Sequence, residues 1–162
     1  MRWLPIVALA ALLVAGGPSA QAVTGFDVAP PPSSESDYDQ GVAAFAREDW
    51  PAVILHLRQV IDERPWDDDA HSLIGFAYRQ QGQWDLSLMH YNRALALNPH
   101  HRGALEYLGE AYLELDRPED AQAMLERLEQ ACRRVYTTEE WPARCEEWQD
   151  LEAAFEDYRA AR

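Results

Sequence analysis

The chain has 162 residues, with 28 carboxylates against 14 basic side chains and a formal net charge of -14. So acidic a balance speaks against nucleic acid or an anionic membrane surface as a partner, and the length suits one small domain. All the basic residues are Arg, which excludes Schiff-base chemistry through Lys and a phosphate-loop Lys.

Residues 1–22 read as a secretory signal peptide. Arg2 supplies the positive start, IVALAALLVA the apolar core, and Ala20-Gln21-Ala22 a small-x-small cleavage site. Cleavage is expected after Ala22, leaving a periplasmic or secreted chain of a bacterial cell. An apolar run of about a dozen residues is short for a bilayer span, so no stable membrane insertion is expected once the leader is gone. Residues 23–35 contain Pro30, Pro31 and Pro32 and no helical period, the mark of a flexible lead-in.

Helical patterns then follow in pairs, with first helices expected over 36–48, 68–81 and 102–115, and second helices over 51–64, 84–97 and 118–131. Pro51 and Pro118 fall at second-helix starts, where the missing N–H would have had no intrahelical partner. After them, residues 138–161 predict one more helix. Trp141, Cys145, Trp148, Leu151, Phe155 and Tyr158 share one face, and carboxylates fill the other. A membrane-surface helix would carry a basic polar face, so this one is expected to close the end of a helical stack. The two cysteines, Cys132 and Cys145, read as a structural disulfide in an exported chain; such a bond stabilises by about 3 kcal/mol in the chain-entropy model. Thiol exchange is the alternative, but no Cys-x-x-Cys is present.

A constant step of 34 residues unites the paired helices. It carries Gly41 to Gly75 and Gly109, Tyr78 to Tyr112, Leu57 to Tyr91 and Leu125, and Pro65 to Pro99. A small residue inside the first helix, an aromatic three positions later and Pro at the exit, repeated at this period, resemble the tetratricopeptide repeat. The middle unit matches best, through His71, Ile74, Gly75, Tyr78, Ser87, Tyr91 and Pro99. The third has Arg133 where Pro would stand, and the first replaces large apolar residues by Asp37, Gln40 and Ala44. The resemblance implies an all-α fold: a right-handed superhelical stack of three hairpins over 36–131 (units of about 34–67, 68–101 and 102–135), plus the C-terminal capping helix, seven helices in all.

It also implies where function lies. Proteins of this family bind a peptide or helix of a partner along a concave groove lined by first-helix side chains. Here the matching positions hold Tyr38, Val42, Phe45, Phe76, Arg79, Glu106, Glu110 and Leu113, apolar at one end and acidic at the other. Tyr38, Phe45 and Phe76 are the expected anchors for an apolar side chain; Glu106 and Glu110, four residues apart on one helix, are expected to favour a basic one. The family's carboxylate clamp of Lys, Asn and Arg is absent, its places being taken by Tyr38, Val42, Leu73, Gly103 and Tyr107.

No Gly-rich phosphate loop, nucleophile elbow or His-Glu-x-x-His occurs. The expectation is therefore a non-catalytic, cofactor-free scaffold or assembly factor whose partner is another protein. The alternative is a periplasmic metal-binding protein that uses Asp67, Asp69, His71, His100 and His101, which lie in successive inter-repeat segments.

Overall fold

The computed structural model describes residues 34–137 and 139–162; the expected leader and the lead-in up to residue 33 lie outside the described residues. Eight helices follow one another: α1 (Ser34–Phe45), α2 (Trp50–Glu63), α3 (Asp68–Gln80), α4 (Trp84–Leu97), α5 (Arg102–Glu114), α6 (Pro118–Val135), α7 (Trp141–Arg144) and α8 (Glu146–Ala160). No strand occurs among the described residues. The helices pair as α1 with α2, α3 with α4 and α5 with α6, as an all-α repeat stack requires.

Local chemistry sets the boundaries. Asp49 and Asp67 accept the backbone N–H groups of Ala52 and Ala70 at 3.2 and 2.9 Å, capping α2 and α3. Pro65 and Pro99 follow shortly after α2 and α4 end. The third unit has Arg133 at that place, and α6 runs on to Val135, past the expected end near residue 131.

The turn inside each hairpin passes through a left-handed residue at the same point of the repeat: Glu48 at φ 56, Gly82 at φ 68 and Asp116 at φ 59. Only the middle one is Gly, which adopts this conformation without strain. Glu48→Gly is therefore expected to raise stability by about 0.5 kcal/mol, read as a higher midpoint in urea unfolding.

Close approach explains the recurring glycines. A Cβ on Gly41 would stand 2.5 Å from Leu57, and one on Gly75 2.7 Å from the Tyr91 ring. Each glycine thus admits a large side chain from its own second helix. The fully buried Tyr91 ring cannot swing aside, so Gly75→Ala should cost about 1–3 kcal/mol, visible as a lowered melting temperature. At Gly109 the neighbour is Leu151 of α8, 2.6 Å from a would-be Cβ, and not Leu125 of α6.

At this glycine the capping element thus supplies the side chain that the second helix supplies in the first two units. Arg102 at the start of α5 pairs with Glu147 at 3.3 Å, while Asp116, just beyond the end of α5, accepts from Tyr158 at 2.6 Å and pairs with Arg162. Helices α5 and α8 thus run in the same direction. One expectation is corrected here: the cap is two helices, giving eight among the described residues and not seven. Cys145 takes an extended backbone between α7 and α8 (φ -102, ψ 90), turned so that its sulfur bonds Cys132 at the end of α6. Gln149 donates across the break to the Pro142 carbonyl at 2.6 Å, and Trp141 packs edge-on against Trp148 at 4.8 Å. The apolar face survives the break, with Trp141, Cys145, Leu151 and Phe155 all buried.

Candidate functional site

The first helices carry a row of aromatic rings across the repeats. Phe76 of α3 lies 4.9 Å from Phe45 of α1, 5.6 Å from Trp50 of α2 and 4.8 Å from Tyr107 of α5. These tilted and edge-on arrangements each contribute a favourable contact beyond their burial. All four side chains remain half-buried, so part of each ring still meets solvent. Of the expected anchors, Phe45 and Phe76 come together, whereas Tyr38 joins no ring pair among the described residues. It lines a separate hollow of 230 Å³ with Asp39, Arg64, Asp67 and Asp69. Val42 is 42% exposed. Trp50 and Tyr107 complete the row unforeseen. Trp50 opens a second helix, outside the first-helix positions from which the groove was read.

Arg79 joins the aromatic row to the acidic end. Its guanidinium carbon stands 4.9 Å over the Phe76 ring, and its Nη1 donates to Glu110 at 2.6 Å and to the Tyr107 carbonyl at 3.1 Å. Its Nε lies 3.7 Å from Glu114. With 7% of its side chain exposed, this Arg is a buried charge whose desolvation is offset by two carboxylates and a carbonyl. Glu110 is thus already paired from inside the molecule. Leu113, also buried, lines a cleft of 360 Å³ together with Arg79, Glu110, Glu114, Ala154, Asp157 and Tyr158. Its three carboxylates exceed its one guanidinium, so the cleft stays acidic.

Glu106, one turn before Glu110, is only 8% exposed. It makes no hydrogen bond or ion pair among the described residues. Burial, followed by repulsion from Glu110, Asp150 and Glu147, pushes its carboxyl up to about 8, against a smaller opposing pull from Arg79. The sequence pairs Glu106 and Glu110 as two carboxylates favouring a basic side chain; in the structure Glu110 is paired by Arg79 and Glu106 is buried and easily protonated.

The candidate metal ligands have other work. Asp67 caps α3. His101 accepts the Ala104 N–H on Nδ1 at 3.2 Å, capping α5, and places Nε2 3.0 Å from Asp69; this imidazole holds the Asp69 carboxyl below its ordinary range. His71 turns inward, its Nδ1 3.0 Å from Nδ1 of His90, and burial lowers both imidazoles, His90 to about 4. His100 is exposed. No group of three or more His, Cys, Asp or Glu able to hold a metal gathers among the described residues. The 34-residue step could have revealed the His71–His90 pair, because it carries Asp37 and His56, 3.4 Å apart, onto them.

Comparison with known proteins places this geometry. A family model described as Tetratricopeptide repeat matches residues 66–134. Residues 66–134 carry tetratricopeptide repeats. An uncharacterized protein of Guillardia theta, ycf37, is 29% identical over 80 residues. That match takes in 46% of this chain and 45% of the relative, so the chain spans less than half of that relative's length. Among solved structures, the TPR2B domain–pHsp70 complex of yeast Sti1 aligns with a TM-score of 0.67 at 16% identity, covering 80% of this chain and 98% of that one. The first TPR domain of Spaghetti, bound to an HSP90 peptide, aligns with a TM-score of 0.59 at 18% identity, covering 74% and 93%. At such identities the likeness shows the fold.

Proposed function

We propose that this chain is a non-catalytic interaction module, an exported scaffold or assembly factor whose tetratricopeptide groove takes a peptide or helix of another protein. The observation that carries this reading is the half-exposed aromatic row Phe45, Phe76 and Tyr107, continued by the apolar, acid-rimmed cleft around Leu113. Aromatic rings held rigid by their neighbours supply contact area at little entropic cost, the usual source of affinity at such surfaces. The solved tetratricopeptide structures that resemble it include one holding an HSP90 peptide, which supports the same use of the fold here. The surplus of carboxylates in the cleft favours a partner segment with a basic residue beside an apolar one, and such binding weakens with salt.

The test is capture from the periplasmic fraction with wild type and with Phe45→Ala/Phe76→Ala. Capture that is lost in the variant at unchanged helicity supports the groove; equal capture by both refutes it. Export is tested separately by the mature N-terminus. Mass spectrometry should find Val23 first, and a mature chain that retains residues 1–22 would refute the leader.

A further inference from the structure

We infer that the valley between α5 and α8 reads a basic side chain through Glu106 and Asp150, and an apolar side chain of the same extended segment in the cleft beside Leu113 and Ala154. This rests on the interaction-module reading above and assigns its specificity to particular atoms.

Most of the other carboxylates along this valley are already engaged, while Asp157 lines the cleft further along. Glu110 and Glu114 face Arg79, and Glu147 faces Arg102. Glu106 has no such partner, though more than nine-tenths of it is buried. A carboxylate so largely covered and without a protein donor is unfavourable, and an incoming guanidinium or ammonium supplies charge and donors together. Arg79 cannot, since it is already held by Glu110 and the Tyr107 carbonyl.

The parallel run of α5 and α8 sets the spacing. Glu106 and Asp150 lie toward the starts of the two helices; Leu113 and Ala154 lie further along the same valley, in the cleft of 360 Å³. Seven residues of helix separate Glu106 from Leu113, about 10 Å at the helical rise. An extended segment covers that in about three residues. An extended occupant that reaches both ends of this valley therefore carries Arg or Lys three positions from a large apolar residue.

Binding also carries a proton signature. The groups that face Glu106 are Glu110 on its own helix, Arg79 on α3, and Glu147 and Asp150 on α8. Burial and the three carboxylates, against the smaller opposing pull of Arg79, leave its carboxyl largely protonated near neutral pH, so a cationic ligand must release that proton. Affinity for a basic segment therefore rises from pH 6 to pH 9.

The experiment pans a random displayed peptide library on the folded chain, resynthesises the enriched peptides and measures their binding to wild type and to Glu106→Gln at both pH values. The expected result is Arg or Lys three residues from an apolar anchor, an affinity that rises with pH in wild type, and a loss of about tenfold or more in Glu106→Gln at pH 9. Replacing the peptide's basic residue by Leu should remove the difference between the two proteins. Peptides enriched without a basic residue, with helical spacing, or bound equally by Glu106→Gln would overturn this inference and leave the interaction module standing. No enriched peptide at all would overturn that reading as well.

Discussion

Replacing Glu106 by Gln is expected to leave stability unchanged at pH 4 and to raise it by about 3 kcal/mol at pH 9. The folded carboxyl titrates at about 8 against 4.5 for an ordinary Glu, so over that interval the folded chain keeps a proton that the unfolded chain has lost. Its contribution is fully present below 4.5 and is lost as pH rises through 8. Gln is neutral throughout and removes this alkaline loss. The full shift would imply more, but a group that retains some exposure is partly screened. The buried histidines act on the other side. His71 and His90 are held below the usual imidazole range, so the unfolded chain takes up protons first as pH falls below 6.5. Their contribution is present at neutral pH and lost as pH falls toward 4, in wild type and variant alike. Urea unfolding of both proteins from pH 4 to 9 checks this; an offset independent of pH would contradict the buried, protonated Glu106.

Reduction of the Cys132–Cys145 bond is the second large effect. The bond closes 13 residues, both cysteines are fully buried, and none is free among the described residues. In the chain-entropy model its loss lowers the unfolding free energy by about 3 kcal/mol. The effect should be uneven, because the bond ties Cys145 at the α7–α8 break to the end of α6. Helix α8 then keeps its contacts with α5 but loses its covalent anchor. Amide exchange should accelerate in α8 before α3 or α4. Thiol labelling of the unfolded, unreduced protein should find no reactive Cys, and two reactive thiols would refute the bond.

The repeat was legible because its steric requirements recur in the primary structure. Gly41, Gly75 and Gly109 mark where a bulky neighbour presses on a first helix, and Pro51 and Pro118 mark second-helix starts. The partner of each glycine was less legible. Leu151 meets Gly109 from outside the 34-residue register, so no step along the repeat points to it. The break at Cys145 was hidden for a related reason: residues 141–158 satisfy a single helical period, whereas the backbone at Cys145, whose sulfur bonds Cys132, is extended.

In the groove, the period located Phe45 and Phe76 but could not tell that Tyr38 stands apart. Nor could it tell that Trp50, from a second helix, completes the row. Charge misled most. A Glu in an acidic, helical sequence reads as solvated, whereas Glu106 is covered by a cap whose position is set by Leu151, Tyr158 and Asp116. His101 and Asp67 looked like ligands because the residue types that bind metals also cap helices. Only the geometry shows which task they perform.

The most direct test of the groove is amide chemical-shift mapping, on the folded chain, of a peptide selected by that chain. The changes should concentrate on α3, α5 and α8, around Phe76, Tyr107, Leu113 and Ala154, with the outer faces of α2 and α4 around Leu55 and Met89 unperturbed. Changes centred on those outer faces, with the aromatic row silent, would contradict the groove as the binding site.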